Sequence, residues 1–140
     1  MWWEAQRQEA YFRAGYRCEA CGVEKELARF HAWLEAHEVY SLNYAKAELT
    51  FVEVVALCHS CHNFIHAGRM KALVEQGKMV RGKRLAILKH GKEVLKAANL
   101  TPTIDSPTFV PWESWRLIYK GIPYKGLFPT YESWRNNHDL

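Results

Sequence analysis

Val55-Ala56-Leu57-Cys58-His59-Ser60-Cys61-His62-Asn63-Phe64-Ile65-His66 is the stretch on which the reading of this chain turns. Its first residues close an apolar, β-branched run, Leu49 to Leu57, with the texture of a buried strand. Cys58 and Cys61 then put two thiols on one tight turn. Residues 61 to about 75 read as a helix that ends at Gly77, so His62 and His66 stand four apart on one helical face. Two imidazoles one turn apart are a common way to hold a divalent ion.

Upstream, Cys18-Glu19-Ala20-Cys21 repeats the thiol spacing, and the chain's four cysteines are all used in the two turns. Two such turns complete a tetrahedron around Zn²⁺, and a site closed by four thiolates staples a fold without doing chemistry. Thirty-six residues separate the two turns, which is room for a folded insert. His59, inside the second turn, is expected at the surface. Residues 30 to 40 predict a strand rich in aromatics, with His37 and Glu38 near its end. Successive strand residues point to opposite faces, so this pair reaches one site only where the strand ends or bulges. Glu35 alternates onto the face of His37, either to support it or to be solvated. His31 is expected to be packed or exposed rather than a ligand.

Further out, residues 1 to 14 predict a helix stopped by Gly15, residues 77 to 82 a basic loop, and residues 83 to 98 a second basic helix. Between 69 and 96, nine Lys/Arg face only Glu75 and Glu93, while the remaining chain carries 10 basic and 13 acidic residues. A basic segment on a slightly acidic body suggests a polyanionic partner, with a solvated helix face as the plainer reading. His90 and His138 are expected at the surface. All five prolines lie beyond residue 101, and Pro111-Trp112-Glu113-Ser114-Trp115-Arg116 is echoed at Pro129-Thr130-Tyr131-Glu132-Ser133-Trp134-Arg135. This aromatic extension is expected to pack on the body. Its alternative use is to stack on bases or to grip a protein partner or a second copy in a homodimer.

The chain of 140 residues is 49% hydrophobic, 14% aromatic and 24% charged, which excludes wholesale disorder. It suits one domain over 1–100, with its motif core at 16–70, and a C-terminal extension over 101–140. No apolar run approaches the roughly 18 residues of a spanning helix, and Met1-Trp2-Trp3-Glu4 does not resemble a secretory leader. A cytoplasmic protein with no membrane partner is expected, in which cysteines serve metals rather than disulfides.

Taken jointly, Cys18-x2-Cys21, Leu34-Glu-Ala-His-Glu-Val39, Val55-Ala-Leu-Cys-His-Ser-Cys-His62 and Ile65-His-Ala-Gly-Arg69 resemble the HNH endonucleases of the zinc-clipped type. The resemblance covers residues 16 to 70. It implies an α+β fold: a treble-clef-like ββα-metal core with structural zinc, an N-terminal helix, basic C-terminal helices and an aromatic tail. It implies metal-dependent hydrolysis of phosphodiester bonds in DNA, with a duplex or a branched nucleic acid as the expected substrate. Zn²⁺ would sit on Cys18, Cys21, Cys58 and Cys61, and a second divalent ion (Mg²⁺, Mn²⁺, Ni²⁺ or Zn²⁺) would serve catalysis. His62 falls on the last histidine of the family motif and His66 on a further helix ligand. Glu53 stands where the family usually has asparagine. The catalytic set is His37, Glu38 and His62, with two assignments open. In one, His37 joins His62 and His66 as a ligand with Glu38 as base; in the other, His37 is the base with Glu38 as ligand or orienting group. Arg69, one turn after His66, and Lys71, Lys83 and Arg84 are expected on the phosphates. The departures at Glu38 and Glu53 leave a second outcome: a zinc-containing nucleic-acid-binding or protein-interaction module without catalysis.

Overall fold

A computed structural model describes residues 2–101, 110–125 and 131–136. The first helix, α1 (Trp2–Arg13), stops at Gly15 and Tyr16, both at positive φ (64° and 57°). The chain then folds back on itself: Arg17 bridges Glu24, and the Cys18 amide donates to the Val23 carbonyl at 3.0 Å. Gly22, at φ 77°, supplies the left-handed step in this turn that a side chain would resist. The neighbouring strands β1 (Leu34–Asn43) and β2 (Glu48–Cys58) follow. Three helices come next: α2 (His59–Ile65), α3 (Ala67–Glu75) and α4 (Arg81–Ala97). Beyond residue 101 come β3 (Arg116–Tyr119), β4 (Ile122–Lys125) and α5 (Tyr131–Asn136). The chain is therefore α+β, with one sheet of order β1-β2-β3-β4. No helix among the described residues is long and apolar enough to cross a membrane.

Two units form from the chain, and they do not follow a single cut in it. Of the described residues, the first holds 2–37 and 54–101; the second holds 38–53, 110–125 and 131–136. The first unit has a core of Tyr11, Cys18, Leu34, Ala56, Leu57, Cys58 and Cys61, so the cysteines are themselves core residues. The first thiol turn is tied to the end of β2 in both directions. Glu19 N donates to the Ala56 carbonyl at 2.9 Å, and Ala56 N donates to the Glu19 carboxylate at 2.6 Å.

The helix expected over 61–75 is two helices. His66, at φ −96° and ψ 46°, leaves the helical region and separates α2 from α3. Against α2 lies α4. The Ser60 hydroxyl pairs with His90 Nδ1 at 2.8 Å, so His90 is tied to α2 rather than free at the surface. Gly91 lets the two helices approach: a Cβ at this position would clash with the Phe64 ring. Gly91→Ala would force α2 and α4 apart, and overpacking of this kind costs about 1–3 kcal/mol. We expect a clearly lowered melting temperature by circular dichroism for Gly91→Ala. An unchanged melt would show that this helix contact does not limit stability.

In the second unit, the aromatic extension contributes strands. β3 pairs parallel with β2 in the register Glu48↔Arg116, Leu49↔Leu117, Thr50↔Ile118, and antiparallel with β4. Lys120 and Gly121, both at positive φ, make the two-residue turn that such a hairpin favours. Trp115 packs edge-on against Tyr44 with centroids 5.6 Å apart, and Tyr119 does the same with Phe51 at 5.6 Å. Packing accounts for these aromatics, as the plainer reading of the extension expects. Part of the second echo, and His138, lie outside the described residues.

Candidate metal centres

β2 runs straight into α2, and the boundary falls between Cys58 and His59. Cys58 caps α2: its sulfur accepts from the Cys61 amide at 3.4 Å, and Cys18 accepts from the Cys21 amide at 3.5 Å. In each turn an N–H is thus already aimed at sulfur. The four sulfurs lie within 4.8 Å of one another, and Cys21 Sγ is 3.9 Å from Cys58 Sγ. Zinc–sulfur bonds of about 2.3 Å put neighbouring sulfurs about 3.8 Å apart on a tetrahedron, so the cluster has the dimensions of a Zn²⁺ site. Without a cation the thiols titrate against one another. Hydrogen bonds from Cys58 and Cys61 hold Cys18 far below the usual thiol range, and pairing with Cys18 pushes Cys58 up to about 12. A divalent ion relieves the conflict by letting all four be thiolates.

A second cluster forms at the same junction. His37 from β1, His62 from α2 and His66 from the α2–α3 break converge, all half-buried, with ligand atoms within 4.8 Å of one another. Their ring centroids are 5.3 Å (37–62), 5.1 Å (37–66) and 5.0 Å (62–66) apart. Nitrogen–zinc bonds of about 2.1 Å set neighbouring rings about 5 Å apart around a tetrahedral ion, so the three rings fit a cation that keeps one position open. Burial, and then the charges of His62, His37 and Arg69, hold His66 below the ordinary histidine pKa, which favours the neutral, ligating form.

Glu35 joins this cluster to a third group. Its Oε1 lies 2.7 Å from His62 Nδ1; its Oε2 lies 2.8 Å from His31 Nε2 and 2.6 Å from His59 Nδ1. With Nδ1 engaged, His62 has Nε2 left for a cation, and the carboxylate fixes that ring's tautomer and orientation. Burial raises the Glu35 pKa, but hydrogen bonds from His62 and His59 outweigh it and bring it down to about 2. Strand alternation did put Glu35 on the side of His37, yet the residues it holds are His62, His59 and His31. His59, expected at the surface, is half-buried, and its Nε2 is buried with no hydrogen-bond partner among the described residues. The usable signal was the two-residue offset from Glu35 to His37, which sends both toward α2. Nothing in the spacing pointed to His31.

The remaining expected site residues are spread out. Glu38, the first described residue of the second unit, is exposed, and its carboxylate accepts from the Tyr40 hydroxyl. The pair His37-Glu38 therefore splits as alternation requires, with His37 in the histidine cluster. Glu53 is exposed on β2. Arg69 and Lys71 are exposed on α3. Lys83 and Arg84 are half-buried at the start of α4; Lys83 Nζ sits 4.9 Å from the Phe30 ring centroid, and Arg84 Nε is buried. Comparison with models of known protein families, with curated proteins and with solved structures finds no match to this chain.

Proposed function

We propose that the chain is a metal-dependent endonuclease of the HNH type, hydrolysing phosphodiester bonds in DNA from a ββα-metal core clipped by zinc. The observation that carries the reading is the convergence of His37, His62 and His66 at ring spacings suited to one cation. The strand–thiol-turn–helix junction beside it supports the same reading. A divalent ion held there would supply Lewis-acid stabilisation of the charge that builds on the phosphate and the leaving oxygen. Glu35 keeps His62 turned toward that position. Of the two assignments for the His37-Glu38 pair, the ring geometry supports His37 as ligand, and Glu38, turned to Tyr40, is given no part in this centre.

Exposed Arg69 and Lys71 follow the histidine cluster directly and are the groups best presented to phosphates. Lys83 and Arg84 belong to the same basic segment but are partly withdrawn. Each neutralised phosphate contributes about 0.9 to the slope of log affinity against log salt, so Arg69→Ala with Lys71→Ala should weaken duplex binding and flatten that slope by about two. An unchanged slope in a fluorescence-anisotropy salt titration would move the DNA path elsewhere.

The direct test is plasmid nicking with Mg²⁺, Mn²⁺, Ni²⁺ or Zn²⁺ in turn. Nicking with one of these supports the proposal. The exposed Glu53 and the Glu38–Tyr40 pair favour a second reading, a nucleic-acid-binding module without catalysis. DNA retarded on a gel with no cleavage under any metal would select it. Neither cleavage nor retardation would select a protein-interaction role.

A further inference from the structure

We propose that His31, Glu35 and His59 form a separate binding site for a borderline divalent ion of the zinc class, joined to the three-histidine cluster through the shared Glu35 carboxylate. Two imidazoles and one carboxylate with an open position are a recurrent set for such ions. The three side chains offer ligand atoms within 4.8 Å of one another. Two nitrogens, His31 Nε2 at 2.8 Å and His59 Nδ1 at 2.6 Å, are aimed at one oxygen, Glu35 Oε2.

Both rings are held in place before any ion arrives. His31 stacks on Trp33 with centroids 3.7 Å apart and planes within 7°. His59 takes the edge of Phe30 at 5.7 Å, and the Asn63 side chain bonds its backbone carbonyl at 2.8 Å. His59 Nε2 has no partner among the described residues, so Nδ1 is the nitrogen directed into the group. The present nitrogen–oxygen distances are those of hydrogen bonds. Ligands at about 2.1 Å from an ion lie about 3.4 Å apart, so uptake needs the 2.8 Å and 2.6 Å separations to open by about 0.6–0.8 Å. His31 lies in an irregular segment before β1 and His59 is the first residue of α2, so a small shift of either is not opposed by a regular ladder on both sides. On ion entry the proton that each neutral ring donates to Oε2 leaves that nitrogen and is carried, through solvent, on the ring's other nitrogen, which frees His31 Nε2 and His59 Nδ1 to bind. Glu35 then binds the ion through Oε2 while Oε1 still accepts from His62 Nδ1.

The site does not depend on the chain being a nuclease, and counting ions tests it apart from cleavage. The full chain is saturated with Zn²⁺ or Co²⁺, freed of excess, and weighed by native mass spectrometry beside His31→Gln, His59→Gln and His66→Ala. Three ions per chain in the natural protein and two in His31→Gln and in His59→Gln support the site. The thiolate-to-cobalt absorption should be unchanged in both variants. Two ions in the natural protein, one in His31→Gln and still two in His66→Ala would also support it, while removing the three-histidine centre instead. Two ions in the natural protein and in His31→Gln, falling to one in His66→Ala, would overturn it. So would three ions that persist in both glutamine variants. Circular dichroism establishes that each variant folds, and either glutamine variant alone suffices.

Discussion

His62→Ala is expected to abolish plasmid nicking while leaving a folded, zinc-containing protein. His62 is the residue on which the proposed chemistry converges: its ring lies 5.3 Å from that of His37 and 5.0 Å from that of His66, and Glu35 holds its Nδ1 at 2.7 Å. Losing it removes a ligand from the proposed catalytic ion and one partner from Glu35. Lewis-acid stabilisation is worth several kcal/mol, and about 4 kcal/mol corresponds to about a thousandfold in rate. The fold should survive, because Glu35 keeps His31 and His59 as partners. The cost of one hydrogen bond to a charged group is about 1.5–3 kcal/mol, less than typical domain stability. Full nicking by a folded His62→Ala protein would sink the assignment of the active site.

For Cys58→Ser the expected outcome is the opposite: loss of the fold itself. Cys58 is 1% exposed, ends β2, caps α2 and belongs to the core. Replacing it takes one thiolate from a cluster whose sulfurs already sit at the spacing of a zinc tetrahedron. Structural zinc contributes about 10–16 kcal/mol of apparent folding free energy, as much as or more than the about 5–15 kcal/mol that holds an ordinary domain together. The variant should lose zinc by elemental analysis and lose near-ultraviolet dichroism, and chelator treatment of the natural protein should do the same. A well-folded Cys58→Ser protein without zinc would show that the thiols are merely core residues.

How far the chain could be read before its structure depended on how local each feature is. The thiol turns were legible because two residues between cysteines dictate the turn, and the Gly22 left-handed step and the N–H···S contacts lie within it. β2 was legible from its β-branched run and lies within one residue of expectation, at Glu48–Cys58. The pairing of His62 with His66 followed from helical spacing, although the helix breaks at His66 itself. The residues before the break carry no signature of it: neither Gly nor Pro precedes His66 in the helix.

The strands in the C-terminal extension were not foreseen. Arg116, Leu117 and Ile118 pair with residues 48 to 50, and a parallel partner that far away leaves no local pattern, while residues 116 to 119 also pair with the adjacent β4. The role of Glu35 was half legible. Alternation placed it on the correct side of β1, but its contacts to His59 and His62 span 24 and 27 residues.

By itself, the order of residues determined the two thiol turns, the β-branched strand between them and the helical pair of histidines, because turns, pleats and helical repeats are set by neighbours within a few positions. Only the tertiary structure decided that His37 joins that pair, that Glu38 turns to Tyr40, and that one carboxylate gathers three imidazoles. The contacts of His37 and Glu35 with α2 exist only once β1 is brought against the β2–α2 junction, and distance along the chain carries no trace of them.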